Sequence, residues 1–378
     1  MSDPIMHSED HNTNRVNLPC PLPSVEGLYR VREKGEAAHM VRLHRNERQS
    51  PLPDWFVNKV SRAIGGSLFT NYPAADELYR VLGEQLELPE DQILLTAGSD
   101  AAIKALFHAY IRQGDAVVML QPSYAMYEVY ARLFQAEVRA VTFDRDMKLD
   151  YQKLLDCVSS GARLVILANP NQPTGALLEQ RLLREVIERA ARVPALVALD
   201  EAYYPFSDFT ALPWLSGFSN LLIIRTFSKA AGLAGLRIGF VAGHREVVEN
   251  LFKVRSAHDI NSIAVLAATL LVNHPEIMAD YARQVSQGAE VLTRMANGLG
   301  LEALPTYTNF MQIRVGHRCD PSRLVAKLEE KGYLVRSHTG VPCLEDCIRV
   351  TLGPPELMMS FGRALQQALE ELDEGRRD

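Results

Sequence analysis

No stretch of this sequence supplies the roughly 20 predominantly apolar residues that a membrane-spanning helix needs. The longest apolar run, 263-IAVLAATLLV-272, is far shorter. The N-terminus, 1-MSDPIMHSEDHNTNRVNLP-19, has neither the basic start nor the apolar centre of a signal peptide. It reads as part of a polar, flexible tail over residues 1–27, and no membrane partner is expected. Basic charge is not in excess: 40 Lys and Arg face 46 Asp and Glu, a formal net charge of −6, so no nucleic-acid partner is expected. Cysteine is sparse and scattered. Cys20, Cys157, Cys319, Cys343 and Cys347 are odd in number and none forms a Cys-x-x-Cys pair. A disulfide framework and a zinc ribbon are thereby disfavoured, no metal site is expected, and a reducing cytoplasm is the natural setting.

What is present is an ordinary globular composition, 47% hydrophobic and 23% charged, over 378 residues. That length exceeds one typical domain. There is no internal repeat and no low-complexity segment. Instead, seven short apolar runs succeed one another: 92-QILLTAGS-99, 116-AVVML-120, 137-EVRAVTF-143, 163-RLVILAN-169, 195-ALVALDEAY-203, 221-LLIIRTFS-228 and 236-LRIGFVAG-243. Most are apolar on consecutive residues rather than alternate ones. That pattern suits strands buried on both faces of a mainly parallel sheet. Amphipathic segments such as 100-DAAIKALFHAYIRQ-113 and 178-LEQRLLREVIERAAR-192 lie between them, with Asp100 placed to cap the first. The alternation predicts an α/β fold, with a large domain over 61–275. After residue 276 a long charged helical pattern, short strands and a final helix predict a smaller α/β C-terminal domain over 276–378. The arm 28–60 is expected to pack on that smaller domain and on a partner subunit.

One segment raises a question of chemistry. In 225-RTFSKAAGLAGLRIGF-240 a lysine, Lys229, lies between apolar runs and is surrounded by Ser, Ala and Gly. In doubly wound sheets ligands bind at the carboxyl ends of strands, and several other polar residues end the apolar runs here. Asp200 ends one, with Tyr203 three residues on. Gly98-Ser99-Asp100 ends another and opens a helix, and 169-NPNQPTG-175 ends a third. Each alone is explained by a surface residue, a cap or a turn. Together they describe one ligand. Small neighbours leave room for a flat ring, and a desolvated lysine is the nucleophile that forms Schiff bases. A buried carboxylate is costly without a cationic partner, and a pyridinium nitrogen is one. Ser99 and Asp100 at a helix N-terminus offer backbone N–H groups to a phosphate. Ser228 and Arg237 add a hydroxyl and a bidentate cation. The expected cofactor is pyridoxal 5′-phosphate.

The sequence also resembles the fold type I pyridoxal-phosphate-dependent aminotransferases, and most of all the histidinol-phosphate aminotransferase family. The resemblance runs from about Tyr29 to the C-terminal helix. It rests on 228-SKAAGLAGLRIG-239, 71-NYP-73, 95-LTAGSD-100, 122-PSYAMY-127, 169-NPNQPTG-175, 200-DEAY-203, 308-TNF-310 and 348-IRVTLG-353. It implies a large domain built on a mainly parallel seven-stranded sheet. It further implies that Lys229 bonds to the cofactor and shuttles a proton, Asp200 pairs with the ring nitrogen, Tyr203 hydrogen-bonds the ring hydroxyl and Tyr124 stacks on the ring. Ser99, Asp100, Ser228 and Arg237 would hold the phosphate. Tyr72 would reach that phosphate from a second subunit of a homodimer whose active sites are shared across the interface. Arg349 would bind the substrate's α-carboxylate or the equivalent end of an amine, and Arg336 and Tyr29 the substrate's own phosphate.

Four places depart from the family pattern. Gln172 stands where an asparagine contacts the ring hydroxyl, and His44 where an asparagine precedes Asn-Glu. His258 and Asp259 stand where an aromatic and a small or polar residue are usual, and 336-RSHTGVPCLEDC-347 is unusual throughout. His44, His258 and His338 are placed by the resemblance near the mouth of the site. The departures read either as drift in surface loops or as an altered substrate pocket. The implied reaction is transamination between histidinol phosphate and 2-oxoglutarate. An aromatic or specialised-metabolism amino acid is the alternative donor. Decarboxylation of an amino-acid phosphate is a second reaction class on the same scaffold. A DNA-binding regulator built on the fold is disfavoured, because the segment ahead of Tyr29 is too short and too acidic for a DNA-binding module.

Overall fold

The structure is a computed structural model that describes residues 20–26, 28, 39–341 and 343–375. The strands in chain order are β1 (Val41–Arg42), β2 (Ile93–Thr96), β3 (Ala116–Gln121), β4 (Glu137–Thr142), β5 (Leu164–Ala168), β6 (Leu196–Asp200), β7 (Leu221–Thr226), β8 (Gly239–Gly243), β9 (Glu302–Ala303), β10 (Phe310–Arg314), β11 (Tyr333–Leu334), β12 (Arg336–Ser337) and β13 (Cys347–Thr351). The seven apolar runs of the sequence become one seven-stranded sheet of order β2-β8-β7-β6-β5-β3-β4. Its pairs are parallel from β4 through β7, whereas β8 runs antiparallel to both β7 and β2.

The consecutive apolar residues of these strands divide between two faces, as the two-residue period of a strand requires. Val118, Leu120, Val165, Leu167, Val197, Leu199, Leu221 and Ile223 face one core, closed by the helices Tyr151–Ser159 and Gln180–Arg192. Val117, Met119, Leu164, Ile166, Ala198, Leu222, Ile224 and Val241 face the other, closed by Ser99–Tyr110, Ala125–Leu133 and Arg245–Val254. In Gln180–Arg192 the buried residues are Leu182, Leu183, Val186, Ile187 and Ala190, one stripe at helical spacing. β4 lies at the sheet edge, and its Glu137 and Val138 are exposed. Charge on an edge strand discourages pairing with another chain.

A second, four-stranded antiparallel sheet, β12-β13-β10-β9, packs with the helices Glu276–Gly298, Pro321–Glu330 and Pro355–Glu374 around a separate core. The segment 333-YLVRSH-338 does not make one strand. β11 pairs in parallel with β1, whereas β12 pairs with β13. The described part of the arm, residues 28 and 39–60, also divides. Leu43 is buried in the core of the smaller sheet, but Phe56, on the helix Asp54–Ala63, packs with Leu78, Ala264 and Leu271 against the large one. The edge of the arm at residue 60 therefore falls inside a helix whose buried face belongs to the large unit. The smaller unit is not independent either, since Cys343, Leu344 and Cys347 join the core beneath β5 and β6. Among the described residues no single helix is long and apolar enough to cross a membrane.

Candidate active site

Because β2, β3, β5, β6 and β7 share one direction, the segments that follow them emerge at one edge of the sheet. β8 runs the other way, so its beginning meets that same edge and brings Arg237 there. A cavity of about 530 Å³ opens at this edge. Its walls include Ser99, Asp100, Tyr124, Gln172, Asp200, Tyr203, Ser228, Lys229 and Arg237 from the large unit, Arg336 and Arg349 from the small one, and His44–Glu47 from the arm. Of the described site residues expected from sequence, Tyr72 does not line this cavity. Tyr72 is 78% exposed and stacks on His258 with ring centroids 4.0 Å apart. Tyr29 lies outside the described residues.

Asp200 closes β6 and is buried. One carboxylate oxygen accepts the Tyr127 hydroxyl at 2.7 Å and the other the Ala202 N–H at 3.1 Å. Burial still pushes its pKa up to about 6, against which these two bonds work. No cation among the described residues pairs with it, so a protonated ring nitrogen suits this position. Lys229 is half-buried, and loss of water around its amine, then the nearby Arg349, lowers its pKa to about 8. Its Nζ donates to the Arg45 carbonyl at 3.3 Å. Tyr203 is buried, and its hydroxyl accepts from Asn46 Nδ2 at 2.8 Å. Burial raises this phenol to about 12. Tyr124 stands edge-on to Tyr127 at the start of the helix Ala125–Leu133.

The residues expected to hold a phosphate form a set of donors. Arg237 Nη1 donates to the Ser228 hydroxyl at 3.1 Å, and Thr226 Oγ1 lies 3.0 Å from the same oxygen. The helix Ser99–Tyr110 points its first turn at them. Gly98, at φ +81°, makes the approach possible: a Cβ there would lie 2.6 Å from Arg237 Nη2. Asp100 does not cap this helix. The cap position is Gly98, Asp100 sits inside the first turn, and its Oδ2 accepts the Tyr130 hydroxyl at 2.9 Å. The tight backbone turn at Gly98 takes the place of the expected side-chain cap. The cradle, the carboxylate without a cation and the lysine of lowered pKa together fit pyridoxal phosphate on grounds of shape and charge.

The arm threads through the site residue by residue. The His44 carbonyl accepts from Arg349 Nη2 at 2.7 Å, the Arg45 carbonyl from Lys229, and Asn46 reaches Tyr203. Asn46 adopts φ +55°, a left-handed conformation that asparagine tolerates. Its N–H donates to Thr351 Oγ1, and its carbonyl accepts from Asn309. Arg349 is buried beside the Phe310 ring, and burial lowers its pKa to about 10. Arg336, its cross-strand partner, is exposed at the mouth.

Sequence reasoning assigned no role to Asn46, Tyr127 or Gln312. The 122-PSYAMY-127 segment held a signal, since a Tyr-x-x-Tyr step at a helix start puts both rings on one side. Nothing local marked the others. Of the three histidines expected near the mouth, His44 lines the cavity, His258 is exposed under Tyr72, and His338 is buried behind Arg349 against Gln312. Glu201 of 200-DEAY-203 is structural: it is buried in an ion pair with Arg225 at 2.9 Å and accepts from Thr210 and the Ala211 N–H.

The profile of the family "Aminotransferase class I and II" matches residues 51–365. The histidinol-phosphate aminotransferase of Sulfurisphaera tokodaii is 32% identical over 78% of this chain and 82% of its own. Histidinol-phosphate aminotransferase 1 of Cupriavidus pinatubonensis is 32% identical over 90% and 91%. Among solved structures, histidinol-phosphate aminotransferase from Sinorhizobium meliloti, in complex with pyridoxal-5′-phosphate, superposes with a TM-score of 0.80 at 25% identity, covering 93% of this chain and 98% of that one.

Proposed function

We infer the activity from one premise: the chain belongs to the class I and II aminotransferases, which work with pyridoxal phosphate on amino and keto acids. The reading proposed is transamination between histidinol phosphate and 2-oxoglutarate. The observation that carries it is a single cavity lined both by Lys229 and Asp200 and by the neighbouring pair Arg336 and Arg349.

When bound, pyridoxal phosphate supplies a carbonyl carbon that exchanges amines and a ring that draws electrons from the bond broken at the substrate. The chain supplies the rest. Ser99, Ser228, Arg237 and the helix N-terminus would hold the phosphate, with Tyr124 against the ring. Asp200, short of a cation, would keep the ring nitrogen protonated. Tyr203, oriented by Asn46, would donate to the ring hydroxyl, and Gln172 lines the same wall. A lysine titrating near 8 has a substantial free-base fraction at neutral pH. Lys229 is therefore suited to move the proton at the substrate's reacting carbon as general base and then acid.

Both substrates of this pair carry anionic ends but differ in shape. Histidinol phosphate has a phosphate and no α-carboxylate, whereas 2-oxoglutarate has two carboxylates. A buried and an exposed arginine side by side accommodate either. Tyr72, exposed on its own chain, would complete the phosphate site of a second copy, which makes the proposed enzyme a homodimer. The five cysteines are all free, in keeping with a cytoplasmic enzyme.

Arg336→Ala tests the substrate. Charge-assisted contacts contribute about 1.5–3 kcal/mol, so kcat/KM for histidinol phosphate should fall about 10- to 150-fold, and far less for an unphosphorylated amine. Equal losses on both would remove the phosphate role. The alternative donor, an aromatic amino acid, would show itself as turnover insensitive to this substitution.

A further inference from the structure

Three side chains form one row across the small sheet: Arg336 lies opposite Arg349, and Arg349 opposite Gln312. The two arginines line the cavity, while Gln312 is 1% exposed behind them. Its Nε2 lies 2.6 Å from the Pro173 carbonyl and 2.9 Å from His338 Nε2. The first distance fixes the amide, because the opposite orientation would set two carbonyl oxygens against each other. Nε2 therefore donates to Pro173, and its second hydrogen faces His338. The imidazole Nε2 must accept, which leaves the ring proton on Nδ1. An imidazolium would set N–H against N–H.

The surroundings keep the ring neutral. His338 is buried, and the charged groups facing it are Arg349 and Arg336. Burial first, then these two cations, lower its pKa to about 3. The neutral form persists over the whole working range of pH. The bridge it completes crosses from the small unit, on β10, to the large-unit loop 169–175. There Pro173 directly follows Gln172, which lines the cavity wall.

We propose that His338 is a positioning residue. As an obligate acceptor it holds the Gln312 amide on the Pro173 carbonyl, and so sets the Gln172 wall at a fixed distance from Arg349 and Arg336. The spacing of that wall from the two arginines then depends on a residue that does not line the cavity. This inference rests on the assignment of Arg349 and Arg336 to the substrate's anionic groups given above.

Two substitutions separate positioning from bulk. H338Q keeps a neutral acceptor, whereas H338L keeps volume and removes it. In the holoenzyme, H338L should raise KM for histidinol phosphate about ten-fold or more, because a Gln172 wall released from Pro173 and Gln312 misplaces the substrate against Arg349 and Arg336, with a smaller change in kcat. It should also move the pH at which the absorbance of the lysine-bound cofactor titrates. H338Q should keep both within about two-fold of the parent. Imidazole 15N NMR of the parent should show an unprotonated Nε2 from pH 5 to 8, and this holds as a test even if H338L does not fold. A protonated Nε2, or H338L altering melting temperature alone, or H338Q failing as badly as H338L, would overturn the proposal. A parent enzyme that takes up no cofactor would instead sink the reading of the site, and the NMR result would still stand by itself.

Discussion

Lys229→Ala should abolish turnover, by more than about 10⁴-fold, the upper range for a single general acid–base group with loss of the covalent bond to the cofactor added. The same substitution should remove the near-visible absorbance that the cofactor gains on bonding to the lysine, while phosphate-end affinity persists through Ser228 and Arg237. The pH dependence of cofactor uptake by the parent apo-protein carries the sign. Bond formation needs the free amine, and burial lowers the Lys229 ammonium to about 8. The rate of uptake should therefore rise with pH up to about 8 and level off above it, two units or so earlier than for a solvated lysine. A variant that keeps both the absorbance and turnover would show that Lys229 is not the bonding residue.

Asp200→Asn has the next largest expected effect. The carboxylate sits at the end of β6 with one bond from Tyr127 and one from the Ala202 N–H, and these do not offset burial, which leaves its pKa near 6. On the reading proposed, a cationic ring nitrogen would supply what is missing. Removing one partner of a buried charged pair costs about 3–5 kcal/mol, so kcat/KM should drop at least about 10²-fold. The apo-protein should lose little stability, because the amide of asparagine can keep its oxygen on the Ala202 N–H and donate its NH2 to the Tyr127 oxygen, and the charge it removes was itself a burden. The contrast between catalytic loss and retained melting temperature is the readout. A variant as active as the parent would mean that the ring nitrogen finds its partner elsewhere.

Much of the frame was legible because it is written in local pattern. Seven apolar runs gave seven strands of one sheet, since a strand buried on both faces cannot alternate. The lysine segment was legible for the same reason: Ser228, Lys229 and Arg237 lie on a single stretch joining two strands. Where local signals failed, distance along the chain was the cause. Asn46 touches Tyr203 from 157 positions away, and Gln312 touches Pro173 from 139. No spacing rule carries such contacts. Asp100 misled because an acidic residue before an apolar helix looks like a cap, whereas the glycine ahead of it turns the backbone toward Arg237. The division of 333-YLVRSH-338 between two sheets was equally hidden, because one continuous pattern served two partners.

The unusual residues also fell into different classes once placed. His258 is exposed beneath Tyr72, so its departure concerns the surface proposed to meet a second copy. His44 lines the cavity, but it is the main-chain carbonyl that holds Arg349. A side-chain change there can alter the pocket without loosening the arginine. Gln172 and His338 lie at the two ends of one bridge through Pro173 and Gln312, which couples two positions that look unrelated in sequence.

The most direct test of the account is a half-reaction. The purified holoenzyme is mixed with excess histidinol phosphate in the absence of any keto acid, and its near-ultraviolet and visible spectrum is recorded. The account predicts that the absorbance of the lysine-bound cofactor is replaced by that of pyridoxamine phosphate, and that 2-oxoglutarate then restores it. A spectrum left unchanged by histidinol phosphate, in an enzyme that converts with another amine, would contradict the substrate assigned here.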